Sequence, residues 1–428
     1  MNHQEIITKL AKVHQKIPHI GQIFRTNTLH NYPSYFYLYT DVYTQNSDLY
    51  KSKYTASASS LSENREDAIL KVYAEALERY AISLCNIREL PCKTQKEIEQ
   101  QAKKEQNQVI PLKEFINSSQ LNEKEVLQAK YYWALCQDKG DKNYYLPAQM
   151  IYVPFSYDDT YIRFSITTGT ALRTSPNSTK YHAIMEVLER HDFMCSFLNQ
   201  ESYFKLKNQE LKQNTSLNHL ITQLEQDSIT NVHIYKINTQ EEYHSVLVLL
   251  ESTDKNIHHK PALCIGSSSD TNLVEAIKGA LLEAIKSTIW IEQLLLENPN
   301  YDSKIQKEED VHNVLDRIFF YAQHKHKKVL HFILKQQTPY KNLKEQLQQK
   351  DLDNDEKKFE LITSYLNKNN IEYFFVNLTP QEAQKEEIYI YKSIIPQMQP
   401  AYLFENLKYD IGKYIDKKRK KIEPLPFL

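Results

Sequence analysis

Two short stretches of this chain place two carboxylates and a guanidinium at the same spacing. Residues 75–79 read E-A-L-E-R and residues 186–190 read E-V-L-E-R. Each lies inside an apolar run with helical periodicity. On a helix, Glu75, Glu78 and Arg79 share a face, and Glu186, Glu189 and Arg190 share one in the same way. An isolated E-x-x-E-R reads as solvated surface charge; its repetition points to a joint task. If the two helices meet, four carboxylates converge. At about 6 Å and an effective dielectric near 20, each like-charge pair costs roughly 2–3 kcal/mol. Such a cluster calls for cations, and carboxylate oxygens favour hard ions, above all Mg²⁺. Mg²⁺ held this way commonly completes its shell with phosphate oxygens, and Arg79 and Arg190 suit a triphosphate. The chemistry implied is a carboxylate-rich site for ATP and Mg²⁺.

Composition narrows the ways in which a nucleotide could be held. The chain has 6 glycines in 428 residues, and neither a P-loop nor a G-x-G-x-x-G fingerprint can be found. Side chains and metal must therefore hold the phosphates. A net charge of −1 gives no global basic field, so no nucleic acid is expected as partner. The run K-K-R-K-K at Lys417–Lys421 and the pair His258–His259 read as solvated charge and loop polarity. No apolar stretch approaches membrane-spanning length, and the N-terminus lacks a signal-peptide core. Five cysteines without a C-x-x-C fit a reduced, cytoplasmic protein.

The elements that must position the carboxylates follow from periodicity. A helix is expected over Gln4–Lys16 and a buried strand over Tyr35–Tyr43. The small polar run Ala56–Ser62 reads as a loop before a helix from Arg65 to Leu84, with Glu66 and Asp67 in its first turn. Lys93–Gln137 reads as polar and partly helical. Met150–Phe155 and Tyr161–Ile166 read as strands, followed by Gly169, a polar loop and a helix over Lys180–Leu198. Val232–Ile237, His244–Glu251 and Ala262–Gly266 read as strands; S-S-S-D-T-N then leads into a helix over Leu273–Leu296 that carries Glu275, Glu283 and Lys286. Val329–Leu334, Ile371–Leu378 and Ile388–Ile395 are further strands. Three times the chain runs strand, small or polar loop, helix with a carboxylate. The fold class is α/β (α+β), with internally repeated strand–loop–helix units, mixed sheets and helical insertions.

These residues resemble the YcaO family. A-E-A-L-E-R at Ala74–Arg79 is similar to the family's first E-x-x-E-R helix. T-G-T-A…M-E-V-L-E-R-H-D at Thr168–Asp192 is similar to its N-G-x-A…E-x-x-E-R-D segment, and L-E-A-I-K at Leu282–Lys286 to its E-A-x-Q helix. I-Y-K-S-I-I-P-Q-M-Q-P at Ile390–Pro400 resembles V-x-R-V-x-x-P-G-x-x-P. The chain departs from the pattern at Lys71, Thr168, Lys286 and Lys392, which stand where the family commonly has Ser, Asn, Gln and Arg. The resemblance divides the chain into an extended accessory segment (1–56), a YcaO-type domain (57–410) with insertions near 93–137 and 302–365, and a basic, proline-containing tail (411–428).

What the resemblance implies is specific. ATP and Mg²⁺ would be bound, with Glu75, Glu78, Glu186, Glu189 and Glu283 on the metal and Arg79, Arg190, Thr168, Lys286 and Lys392 on the nucleotide. Glu75 and Glu186 would be catalytic. The end P-L-P-F-L is similar to the P-x-P-x-P tail of microcin-type cyclodehydratases, whose terminal carboxylate points at the active site, which gives Leu428 a catalytic role. The activity implied is conversion of Cys, Ser or Thr of a ribosomal precursor peptide to thiazoline or oxazoline by phosphorylation of a backbone amide oxygen. Thioamide formation and a catalytically degenerate scaffold are the alternatives. The expected partners are the precursor peptide, a leader-binding protein resembling ubiquitin-activating enzymes, a flavin dehydrogenase and a second copy of the chain within a complex.

Overall fold

In the computed structural model the described residues are 3–17, 19–26, 35–44, 54–116, 122–226, 230–254, 260–349, 352, 354–405, 414 and 423–426. The strands are β1 (Phe24–Thr26), β2 (Phe36–Thr44), β3 (Tyr54–Ser62), β4 (Cys92–Lys93), β5 (Gln108–Val109), β6 (Tyr131–Gln137), β7 (Asn143–Pro147), β8 (Thr170–Arg173), β9 (Phe204–Leu206), β10 (Thr230–Lys236), β11 (His244–Ser252), β12 (Leu263–Asp270), β13 (Phe374–Asn377) and β14 (Tyr389–Ile394). The helices that matter for the site are α1 (His3–Lys16), α2 (Arg65–Ser83), α3 (Pro176–Asn199), α4 (Leu273–Glu297), α5 (Val314–Tyr321) and α6 (Asp355–Lys368). Three sheets result: β1-β2-β3, β12-β11-β10-β9, and a seven-stranded sheet ordered β5-β7-β6-β13-β14-β8 with β4 on β6. β5 and β7 run parallel; the other pairings of named strands are antiparallel.

Three strand–helix units are built alike. β3 leads to α2, β8 to α3 and β12 to α4. Each helix starts at a polar cap that satisfies first-turn N–H groups. Asn64 Oδ1 accepts from Glu66 N at 2.7 Å, Ser175 Oγ from Ser178 N at 3.4 Å, and Asn272 Oδ1 from Val274 N at 2.8 Å. Caps of this kind fix where the helix begins, and so which face each glutamate occupies. α2 lays Val72 and Ala76 on Leu38, Val42 and Ala58 of β2–β3, while its other side meets Leu10 and Val13 of α1 through Leu77 and Ala81. α3 is clasped between the large sheet and α6 through Ile184, Leu188, Phe375, Ile362 and Leu366. α4 is sunk into the largest core, with Ile277, Leu281 and Ile285 packed among Val246, Val248 and Ile265. No helix among the described residues is long and apolar enough to cross a membrane.

Several elements differ from the sequence expectation. Ala56–Ser62 is not a loop but most of β3. Its residues are small because α2 lies directly on it: Ala58 and Ser60 are buried, and Ser60 Oγ donates to Ala68 O at 2.7 Å. Ser267–Asp270 likewise extend β12 instead of forming a loop. Lys93–Gln137 holds a helix at Gln95–Lys104 but ends in β6, which sits inside the large sheet. Met150–Phe155 and Tyr161–Ile166 form no strands. There the side chains of Gln149 and Asp158 replace a ladder: Ile162 N donates to Gln149 Oε1 at 2.8 Å, and Tyr132 N to Asp158 Oδ1 at 2.9 Å. Val329–Leu334 is helical, not extended, with Leu330 and Ile333 buried three residues apart.

The approach of α4 to β12 depends on Gly266. A Cβ there would lie 2.2 Å from Ala284 N and 2.4 Å from Ala280 O, both backbone atoms that cannot swing away. Gly266→Ala is expected to cost about 3 kcal/mol, seen as a lower midpoint in urea unfolding against an unchanged Gly140→Ala control, whose added Cβ would meet its nearest neighbour, Asp138 Oδ1, at 3.5 Å.

Candidate functional site

The three helices turn their acidic faces into one cavity of about 1310 Å³. Its wall includes Glu75, Glu78 and Arg79 of α2, Glu186, Glu189 and Arg190 of α3, and Glu283 and Lys286 of α4. The two E-x-x-E-R faces that sequence spacing defines therefore do meet. The third helix brings a carboxylate and an ammonium to the same space.

Four of these carboxylates are held by their own strand–helix unit or its neighbour. Glu75 Oε2 accepts the Ser59 N–H of β3 at 3.1 Å, and its Oε1 accepts from Arg79 at 3.1 Å. Arg79 also donates to Thr167 Oγ1 at 3.1 Å, which ties α2 to the loop before β8. Glu186 accepts the Gly169 N–H at 3.0 Å. Gly169 is needed in that loop: its φ is +84°, and a Cβ would stand 2.6 Å from Ser393 O. Glu189 accepts the Ser267 hydroxyl of β12, and Arg190 Nε lies 3.7 Å from it. Glu283 pairs with Lys286 Nζ at 2.8 Å.

The electrostatics divide this set. Burial pushes the Glu78 carboxyl up to about 8; Arg173 opposes the rise, and Glu75 and Glu186 add to it. Burial also raises Glu186 and Glu189, against the pull of Arg190 on each. Glu283 goes the other way: burial would raise it, but Lys286 outweighs that and holds it low. Lys286 is itself raised, since Glu283 and Glu75 outweigh its burial. The donor set is all carboxylate oxygen, the chemistry that suits a hard divalent cation. The oxygens are not yet gathered around one point, for among the described residues no three His, Cys, Asp or Glu groups form a ready ligand cluster. Interleaved cations, Arg79, Arg173, Arg190 and Lys286, stand in the same wall.

Other residues singled out from sequence lie elsewhere. Thr168 and Lys392 line a separate small pocket that shares Arg190 with the main cavity. Lys392 is buried and donates to Ile166 O at 2.6 Å; burial pulls its ammonium down to about 7. Lys71 is in the main wall, one turn before Glu75. Leu428, the basic run Lys417–Lys421 and His258–His259 fall outside the described residues. The nearby tail is packed: Leu425 is buried, its N–H donates to Glu405 Oε1 at 3.1 Å, and the Tyr321 hydroxyl of α5 donates to Pro424 O at 2.5 Å. Sequence reasoning missed Arg173, Thr167, Ser59 and Ser267. The serines stand in stretches read as loops. Arg173 ends a four-residue strand and reaches the cavity only because β8 pairs with β14.

A family model described as "YcaO cyclodehydratase, ATP- and Mg²⁺-binding" matches residues 62–399. No curated protein matches the sequence. Among solved structures, a heterocyclase in complex with substrate and cofactor superposes with TM-score 0.71 at 13% identity, over 94% of this chain and 53% of that one. The chain thus spans about half the length of that heterocyclase. YcaO from Methanopyrus kandleri bound with AMPPCP and Mg²⁺ gives 0.65 at 12% identity, covering 93% and 92% of the two chains. A chain of the E. coli microcin synthetase McbBCD complex gives 0.64 at 16%, covering 94% and 96%. At these identities the likeness is one of fold.

The raised pKa of Glu78 has a thermodynamic consequence. The folded state holds a proton there between about pH 4.5 and pH 8 that the unfolded state releases. Stability contributed by this group is therefore lost as pH rises through that window. Metal-free protein in EDTA should become less stable from pH 5 to pH 8, and Glu78→Gln should flatten the slope. Thermal melts of both forms across that range check this; parallel slopes would refute it.

Proposed function

The chain belongs to the YcaO family, and we propose that it is an ATP-dependent cyclodehydratase acting on a ribosomally made precursor peptide. The observation that carries this reading is the convergence of Glu75, Glu78, Glu186, Glu189 and Glu283 with Lys71, Arg79, Arg173, Arg190 and Lys286 on one cavity. The family binds ATP and Mg²⁺. Bound Mg²⁺ would neutralise charge on the phosphates, held by carboxylates of this wall. Arg79 and Arg190, each tethered to a glutamate of its own helix, would orient a triphosphate.

With ATP as co-substrate, the reaction balances as follows. A Cys thiol, or a Ser or Thr hydroxyl, loses its proton and attacks the carbonyl carbon of the preceding peptide bond. A C–S or C–O bond forms, and the carbonyl oxygen becomes an oxyanion. That oxygen takes the γ-phosphoryl group, and ADP leaves. The amide nitrogen then gives up its proton, a C=N bond forms and phosphate departs. The product is a thiazoline or oxazoline, with water formally removed from the peptide. Holding the reacting groups in line and neutralising charge account for most of the rate in chemistry of this kind. The residues this chain supplies are suited to both.

A precursor peptide needs to be brought to the cavity. Relatives of the fold include a chain of the microcin synthetase complex, one form of which is bound to pro-MccB17. We infer that this chain likewise works with a leader-binding partner protein, and that a flavin dehydrogenase acting on azolines is a reasonable companion. The cytoplasm, where precursor and ATP are both present, is the expected setting.

Glu75→Gln and Glu186→Gln should each lower peptide-dependent phosphate release by at least about 10²-fold. Mass spectrometry of the cognate peptide should show loss of water per modified residue with the native chain. Full phosphate release by both variants would overturn the assignment; exchange of oxygen for sulfur in the peptide would redirect it to thioamide formation.

A further inference from the structure

Four carboxylates of the cavity are compensated in two different ways. On one side, Glu75 and Glu283 carry their own cations. Arg79 donates to Glu75 Oε1 at 3.1 Å, while Ser59 N–H takes the other oxygen at 3.1 Å. Lys286 Nζ lies 2.8 Å from Glu283 Oε2, three residues along the same face of α4. On the other side, Glu186 receives the Gly169 N–H at 3.0 Å and Glu189 the Ser267 hydroxyl. Both are neutral donors, which orient a carboxylate without removing its charge. Arg190 stands further off, 3.7 Å from Glu189.

We propose that Lys286 is a built-in counter-ion that takes the place of one divalent cation in this cavity, leaving Glu186 and Glu189 to hold metal and withdrawing Glu283 and Glu75 from that role. The inference rests on the functional reading above, since it concerns the metal that accompanies the nucleotide. Its physical basis is competition for oxygen. A divalent cation reaching Glu283 must displace an ammonium already in contact with the carboxylate, and then sit beside that positive charge. A cation reaching Glu186 displaces only a neutral N–H, and one reaching Glu189 displaces a hydroxyl with Arg190 standing off at 3.7 Å, so neither must break a contact as close as that of Lys286 with Glu283. A neutral side chain at residue 286 would leave Glu283 open to metal; the ammonium closes it. The lysine is placed by its helix, one face of which is packed into the largest core through residues such as Ile277, Leu281 and Ile285. It is therefore as permanent a part of the site as the carboxylates.

The test counts metal instead of activity. Mn²⁺ is titrated into the full chain with a methylene-bridged ATP analogue, and bound Mn²⁺ is measured by electron paramagnetic resonance. Lys286→Gln should bind one more Mn²⁺ per chain than the native protein. Glu283→Gln in the native background should leave Mn²⁺ stoichiometry unchanged, whereas Glu189→Gln should weaken Mn²⁺ at least about tenfold. The Glu283 and Glu189 pair keeps the proposal testable if Lys286→Gln fails to fold. Loss of a Mn²⁺ from Glu283→Gln, or equal stoichiometry in native protein and Lys286→Gln, overturns the counter-ion role alone. Absence of nucleotide-dependent Mn²⁺ binding in every form overturns it together with the functional reading.

Discussion

Repulsion among carboxylates in a half-buried cavity is the constraint on which the rest of this structure depends. Glu75, Glu78, Glu186, Glu189 and Glu283 share one wall with Glu297, and burial makes each charge costlier than it would be in water. The structure answers in three ways. Burial raises the pKa of Glu78, Glu186 and Glu189, which favours their protonated forms. The fold threads cations between others, as Lys286 does for Glu283 and Arg79 for Glu75. It aims fixed N–H and O–H donors from neighbouring strands at the remaining oxygens, through Gly169 and Ser267. A site of this kind is an anionic cradle awaiting counter-charge, and that is why it suits a metal–nucleotide ligand.

Such an arrangement is only stable if the surrounding elements cannot relax away from it. The three acidic helices are anchored at capped N-termini and by apolar faces turned away from the cavity. α4 is drawn against β12 by Gly266, where backbone meets backbone. The loop before β8 is fixed from several sides. Lys392 donates to Ile166 O, Ser393 N–H to Gly169 O, and Thr167 receives Arg79. That loop carries the N–H that Glu186 uses. A buried lysine outside the cavity lining thus bears on the geometry of the wall, through one short stretch of chain.

The serine-rich strands illustrate where sequence pattern misleads. A-S-A-S-S-L-S has the composition of a loop, and S-S-S-D looks like a cap before a helix. Both are strands with a helix lying against them, and the small side chains are what the close approach demands. Strand formers with branched side chains would not fit. The reverse error occurs at Tyr161–Ile166, a β-prone run in which Ile162 N donates to the side-chain oxygen of Gln149, itself bonded to Asp158. Local propensity is a weak guide where a single buried Gln or Asp can satisfy the backbone instead.

The sequence alone determined the active faces. Two copies of E-x-x-E-R at helical spacing, and a third helix with Glu283 and Lys286, are local facts, because a helix fixes the relative direction of residues three and four apart. The near absence of glycine fingerprints was equally legible, and it pointed to side chains as the means of holding phosphate. Tertiary structure decided the rest. That Arg173 faces Glu78 depends on the pairing of β8 with β14, more than two hundred residues away in the chain. That Ser59 and Ser267 serve the glutamates depends on which strand lies beneath which helix. That Glu186 meets the Gly169 N–H and Glu189 the Ser267 hydroxyl depends on how α3 is seated against the loop before β8 and against β12. Spacing along one helix is set by its own hydrogen bonds; spacing between helices is set by the packing of everything else.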